Sequence, residues 1–297
     1  MKIGFLGLGH MGAPMAANLV KAGHDVLAFD PVPAAQEQAR ADGATVVPTA
    51  TEAVAGREVV ITMLPNGKLV LDVYGDILPA AEPDTLFIDC STIDVADAKT
   101  AAERAVAAGH RALDAPVSGG VAGAAAGTLT FMVGGAEADF AAGLPVLEVM
   151  GGKVVHCGGA GVGQAAKICN NMLLGVSMVA LSEALVLGEK LGLSHQSFYD
   201  VVSTASGQSW SLTTYCPVPG PVPTSPANND YKPGFATALM TKDLGLAANA
   251  LRDNGVDGQL GTLAAQIYTR FNQADAARDF SAIVTDIRDR SNQEAPE

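Results

Sequence analysis

The chain has 297 residues, of which 48% are hydrophobic and 16% charged, and a formal net charge of −13. Its length exceeds that of an ordinary single domain and predicts two, while its apolar content excludes a disordered or collagen-like chain. The 31 acidic against 18 basic residues repel the phosphates of nucleic acid and an anionic membrane surface, so neither is an expected partner; an anionic substrate remains compatible wherever lysines or backbone N–H groups converge.

In chain order, the N-terminus enters a strand directly, over residues 2–6. It lacks the basic flank and apolar core of a signal peptide and the Arg-rich pattern of a transit peptide, which predicts a cytoplasmic protein. A helix over 12–21 and a strand over 25–30 complete a βαβ unit. Strands follow over 59–64, 86–90 and 111–115, with a helix over 95–108 closed by Gly109. Strands separated by helices of this length predict a mostly parallel sheet covered on both faces. Two more strands, 128–134 and 153–157, flank a helix over 136–150 and extend the sheet.

From Gly163 onward the pattern becomes helical, with stretches over 164–190, 195–204, 237–254, 259–274 and 280–289 and no strand. The apolar run 172–187 is interrupted by Ser177, Ser182 and Glu183, is short for a bilayer, and reads as a buried helix. The proline-rich segment 216–226 reads as an irregular surface excursion. Cys90, Cys157, Cys169 and Cys216 are widely spaced with no Cys-x-x-Cys pair, so neither a metal site nor a disulfide framework is expected.

Gly7-Leu8-Gly9-His10-Met11-Gly12 is a GxGxxG that follows a strand and opens a helix. In that position the three glycines allow a tight turn, close approach of a pyrophosphate and helix–strand contact, and the helix N-terminus attracts the anion. Asp30 lies 23 residues beyond Gly7, where an acid accepts hydrogen bonds from the adenosine ribose. The residues after it, Pro31-Val32-Pro33-Ala34, offer no cation for a 2′-phosphate, so the expected cofactor is NAD. The predicted fold class is therefore α/β: a Rossmann-type doubly wound parallel sheet over 1–160, then an all-α substrate and oligomerisation domain over 161–297, with the boundary near Gly159-Ala160-Gly161.

Two further segments carry glycine next to chemistry: Asp114-Ala115-Pro116-Val117-Ser118-Gly119-Gly120, and Gly161-Val162-Gly163-Gln164-Ala165-Ala166-Lys167-Ile168-Cys169-Asn170-Asn171. Lys167 and Asn171 are four apart and share a helix face, beside an apolar stripe of Ile168, Met172, Val176 and Val179. Partial desolvation at a helix start suits a lysine that exchanges protons near neutrality. Taken with the GxGxxG, these segments resemble the β-hydroxyacid dehydrogenase family over essentially the whole chain, and within it the 3-hydroxyisobutyrate branch.

That resemblance implies that Lys167 is the catalytic acid/base, that Asn171 hydrogen-bonds the substrate near the reacting carbon, and that Ser118, Gly119 and Gly120 hold its carboxylate. It also implies that Leu64, Pro65, Thr92 and Lys242 line the NAD site. Lys242 and Lys167 together would supply local positive charge in an acidic protein. Trp210 and Phe235 are candidates for an apolar wall against a substrate methyl. The segment Ala205-Ser206-Gly207-Gln208-Ser209-Trp210 departs from the branch's pattern at Gln208-Ser209. The implied reaction is oxidation of 3-hydroxyisobutyrate to methylmalonate semialdehyde in valine breakdown, by a homodimer or homotetramer. The competing readings are a tartronate or succinate semialdehyde reductase on the same scaffold and a non-catalytic NAD-binding regulator. A 6-phosphogluconate dehydrogenase would need more cations in the helical half, and an imine reductase is expected to lack Lys167.

Overall fold

The structure is a computed structural model that describes residues 1–293. The chain forms two compact units, Met1–Lys167 and a second that begins at Ile168. The first contains β1 (Lys2–Leu6), α1 (Gly12–Lys21), β2 (Asp25–Phe29), α2 (Pro33–Ala41), β3 (Thr45–Val46), α3 (Ala50–Val54), β4 (Val59–Thr62), α4 (Gly67–Ile77), β5 (Leu86–Asp89), α5 (Val95–Ala107), β6 (Arg111–Asp114), β7 (Val117–Ser118), α6 (Gly120–Ala126), β8 (Leu129–Gly135), α7 (Glu137–Met150) and β9 (Gly151–Gly158).

The strands form one sheet in the order β3-β2-β1-β4-β5-β6-β8-β7, with β9 beside β8. The run β3 to β6 is parallel, β8 is antiparallel to both β6 and β7, and β9 is parallel to β8. Strand order reverses between β1 and β4, and ligands of open α/β sheets bind beyond the strands' carboxyl ends at such a switch point.

Side chains alternate across this sheet. Ile3, Phe5, Val59, Ile61, Leu86 and Ile88 join the core on one face, whereas Leu6, Val60 and Phe87 join the core on the other. Both faces are therefore buried, as the continuous apolar runs of the strands require. Three short elements escaped the sequence pattern: β3 and β7, each only two residues long, and α6, whose glycine- and alanine-rich composition carries no amphipathic signal.

The chain continues through α8 (Val162–Lys190), α9 (His195–Val202), α10 (Trp210–Thr213), α11 (Thr237–Asp253), α12 (Gln259–Ala274) and α13 (Ile283–Gln293). Among the described residues of the second unit the only β pairing is an isolated bridge between Ala236 and Asp279. The helix expected over 280–289 is divided into a 3-10 turn, Phe280–Ala282, and α13. By length and composition α8 alone among the described helices could cross a membrane. Its Met178, Val179, Leu181, Leu185 and Val186 belong instead to the core of the second unit, so it is a core helix.

The segment 216–226 is only in part the surface excursion its prolines suggest: Pro219, Gly220, Pro223 and Thr224 are exposed, but the rest is not. Cys216, Val218, Val222 and Ser225 are buried. Backbone groups there find side-chain partners: Ser225 Oγ donates to the Cys216 carbonyl, Tyr231 Oη to that of Pro217 and Asn228 Nδ2 to that of Val222. Irregular backbone can be buried when its polar groups are paired in this way.

The first turn of α8 is seated against the sheet of the first unit. A Cβ at Gly163 would collide with the Met132 carbonyl and stand 2.7 Å from that of Asp114, and one at Gly134 would meet the Gly163 nitrogen at 2.7 Å. Gly163→Ala is therefore expected to cost about 1–3 kcal/mol through overpacking and to lower the thermal unfolding temperature. Gly245→Ala, on α11 with nothing within 4 Å, should raise it through the helix propensity gain of about 0.5–1 kcal/mol.

Candidate functional site

The loop between β1 and α1 uses each of its glycines differently. Gly7 has φ +95°, and a Cβ there would collide with the Met63 carbonyl; a Cβ at Gly12 would collide with the carbonyl of Gly7; Gly9 has nothing within 4 Å and leaves the surface open. Leu8 is buried, His10 exposed and Met11 half-buried. The first turn of α1 carries no acidic residue, so its free amides and dipole face no competing anion. This is a cradle that fits a pyrophosphate.

Asp30 braces that cradle. Its Oδ2 accepts the Leu8 N–H at 2.7 Å and its Oδ1 the Val32 N–H at 2.8 Å, while its carbonyl accepts from Gln36 Nε2 at 2.7 Å. Each carboxylate oxygen keeps a further lone pair for a ribose hydroxyl. The residue thus holds the loop as well as standing where the ribose is expected.

The carboxyl ends of β4 and β5 are joined by a buried network. Asp89 Oδ1 accepts from Thr62 Oγ1 at 2.7 Å, Ser91 Oγ at 2.6 Å and Ser91 N at 3.2 Å, and Ser91 Oγ accepts the Leu64 N–H at 2.8 Å. Burial pushes the Asp89 carboxyl up to about 6, against the pull of the Ser91 and Thr62 donors. The network fixes the segment leading to Leu64 and Pro65 and the start of the loop carrying Thr92; Leu64 and Thr92 are half-buried and Pro65 is exposed.

Beyond β6, Asp114 Oδ1 accepts the Gly161 N–H at 2.7 Å and Oδ2 the Gln164 N–H at 2.9 Å, which caps α8. Gly161 takes a left-handed φ of +83° to make this turn. Burial raises the Asp114 carboxyl above its ordinary value although these amides oppose the shift. Lys167 follows one turn later and is 6% exposed. Ser118 ends β7, and Gly119 (φ +136°) and Gly120 (φ +62°) lead into α6 with conformations that L side chains avoid.

In the second unit Asn171 is 2% exposed. Its Nδ2 donates to Asp243 Oδ2 at 2.5 Å and its Oδ1 accepts from Asn170 Nδ2 at 2.9 Å, so its amide orientation is set. Lys242 Nζ lies 3.6 Å from Asp243 Oδ1. Trp210 is half-exposed and stacks on Tyr215 at 5.1 Å; Tyr215 stacks on Phe280 at 5.4 Å, and Phe280 meets Phe235 edge-on at 5.7 Å. Trp210 and Phe235 are thus the two ends of one aromatic series. Asp279, fully buried, holds it by accepting from Tyr215 Oη, Gly234 N and Phe235 N.

The sequence reading assigned no role to Asp89, Asp114, Gln164, Asp243 or Asp279. Asp114 and Gln164 stand inside the motifs that were read, and a polar residue flanked by apolar ones and glycines was the available signal. Because Asp30 joins the loop to the expected ribose position, Asp30→Ala should reduce the ratio of kcat/KM with NAD to that with NADP by about tenfold or more, the worth of one or two hydrogen bonds to a charged group. Steady-state rates with both cofactors measure it; an unchanged ratio would remove Asp30 from cofactor choice.

Residues 2–159 match the family model described as the NAD binding domain of 6-phosphogluconate dehydrogenase, and residues 161–287 the one described as NAD-binding of NADP-dependent 3-hydroxyisobutyrate dehydrogenase. A probable 3-hydroxyisobutyrate dehydrogenase of Mycobacterium tuberculosis is 58% identical over 290 residues, covering 98% of this chain and 99% of that protein. The solved structure of Mycobacterium tuberculosis 3-hydroxyisobutyrate dehydrogenase with L-serine is 58% identical, with a TM-score of 0.94 over 97% of this chain and 99% of that one. An NAD-dependent L-serine dehydrogenase of Pseudomonas aeruginosa is 44% identical over 286 residues, 95% of this chain and 96% of that protein. Identity of this extent along both units goes well beyond a shared scaffold: the chain belongs to the 3-hydroxyisobutyrate dehydrogenase family and is an NAD-dependent oxidoreductase.

Proposed function

We propose that the protein oxidises 3-hydroxyisobutyrate to methylmalonate semialdehyde in valine breakdown, with Lys167 as general acid/base. The observation that carries this reading is the placement of Lys167: a buried lysine on the capped first turns of α8, four residues before the fixed amide of Asn171. When bound, NAD supplies the acceptor for the hydride that leaves the carbinol carbon. Lys167 takes the hydroxyl proton as the C–H bond breaks, and in the reverse direction its ammonium form returns a proton to the aldehyde oxygen. Asn171 orients the same oxygen. Ser118 Oγ and the backbone N–H groups of Gly119 and Gly120 anchor the carboxylate, and Trp210 with Phe235 supplies apolar surface for the methyl group. Leu64, Pro65, Thr92 and Lys242 contribute to holding NAD together with the glycine loop and Asp30.

L-serine is a second reading, supported by the solved relative with L-serine and by the L-serine dehydrogenase relative. It too is a 3-hydroxy acid, with an amino group in place of the methyl. The partner expected besides the small hydroxyacid is a second copy of the chain, in a homodimer or homotetramer; exposed Leu173 and Leu187 on α8 and Leu260 and Leu263 on α12 offer apolar surface for it. The proposed compartment is the cytoplasm, in keeping with four free cysteines.

Initial rates with 3-hydroxyisobutyrate, L-serine, glycerate, 4-hydroxybutyrate and 6-phosphogluconate, each with NAD and with NADP, test the assignment. The highest kcat/KM is expected for 3-hydroxyisobutyrate with NAD, and Lys167→Ala should lower it by about 10²–10⁴-fold, the usual worth of a general acid/base. A higher value for another acid would replace the substrate, and a variant as active as the parent would remove Lys167 from proton transfer.

A further inference from the structure

We propose that Gln164 is a positioning residue that fastens the cofactor loop around Thr92 to the helix turn bearing Lys167. Its side chain is fully buried. Its Oε1 accepts the Ile93 N–H at 3.1 Å and its Nε2 donates to the Ser91 carbonyl at 2.7 Å, so it holds the backbone on both sides of Thr92. Its own N–H is fixed by Asp114 Oδ2 at 2.9 Å. A side-chain amide offers a donor and an acceptor side by side, as a neighbouring strand would.

The grip reaches further through Ser91, whose Oγ donates to Asp89 and accepts the Leu64 N–H. The segments carrying Leu64 and Thr92 and the first turn of α8 are therefore one hydrogen-bonded assembly within the first unit. Lys167 is three residues after Gln164 on the same helix, so a shift of the Thr92 loop is transmitted to the lysine. Cofactor affinity and proton transfer should then depend on Gln164 together, although its side chain is wholly enclosed by protein. The inference rests on the roles proposed above for Thr92 and Lys167.

The full-length protein with Gln164→Met and with Gln164→Glu tests this. NADH affinity is read by fluorescence titration, turnover by kcat and KM, and order in the loop by amide exchange in the peptide containing Ile93. Gln164→Met keeps the length but removes both bonds. It should weaken NADH binding by about tenfold, a loss matching one or two buried hydrogen bonds, lower kcat by a similar factor, and speed exchange at Ile93.

Gln164→Glu gives a signature that a packing role lacks. As a carboxylate it has no donor for Ser91, whereas in its protonated form it regains donor and acceptor together. Relative to the parent protein at each pH, which corrects for Asp89, Asp114 and Lys167 nearby, its NADH affinity should recover at least severalfold between pH 8 and pH 5.5. NADH affinity within twofold of the parent for both variants, or a Gln164→Glu defect of equal size at both pH values, would overturn the inference. Failure of the Lys167 assignment would be distinct: Lys167→Ala would keep its turnover while the NADH titrations of the Gln164 variants still showed the loss.

Discussion

Asp114 ends β6 with a carboxylate that accepts the N–H groups of Gly161 and Gln164. A helix start leaves amides without intrahelical partners and carries a partial positive charge, so an anion there is favoured by about 0.3–2 kcal/mol. Burial works against the same charge and is the stronger effect on the carboxyl, which lies above its ordinary range. What the arrangement secures is position. With Gly163 allowing close approach and Gly161 allowing the left-handed turn, the start of α8 has one seat on the sheet, and Lys167 follows from it.

Asp114 is paired in register with Asp89 on the neighbouring strand. Two buried acids side by side are unfavourable: the charge of Asp114 disfavours ionisation of Asp89, and burial penalises both. A sheet selected for stability alone would carry apolar residues at these strand ends. Here each acid organises a segment that leaves the sheet's carboxyl edge: Asp89 holds the segments before Leu64 and Thr92, and Asp114 holds α8. The second unit repeats the device, with Asp243 orienting Asn171 and Asp279 gathering Tyr215, Gly234 and Phe235. Buried aspartates that fix loop segments and helix starts recur in both units.

The local patterns were legible in the sequence. Strands such as Val59–Thr62 and Leu86–Asp89 stand out as short apolar runs, the glycine loop is a contiguous motif, and α8 is a long apolar stretch beginning after Gly161. The positioning residues were not legible, because each acts on groups far away in sequence. Asp114 reaches 47 and 50 residues ahead, Gln164 reaches 71 and 73 back, and Asp243 meets Asn171 across 72. The segment 216–226 was misplaced in part for a related reason: prolines announce irregular backbone, but the partners that allow the burial of Cys216, Val218 and Val222 include Tyr231 and Asn228, outside the segment. Trp210 and Phe235 were picked out singly, and the rings between them, Tyr215 and Phe280, emerged only from the fold.

In the function proposed for it, Lys167 moves the substrate proton from a seat the fold provides. Chemical rescue tests it most directly: the Lys167→Ala protein, saturated with NAD and 3-hydroxyisobutyrate, is assayed with added small primary amines of graded basicity. If Lys167 moves the proton, these amines restore NADH formation, in proportion to their concentration and with a rate that follows their basicity. An undiminished rate without amine, or a lost rate that no amine restores while substrate and NAD still bind, would contradict it.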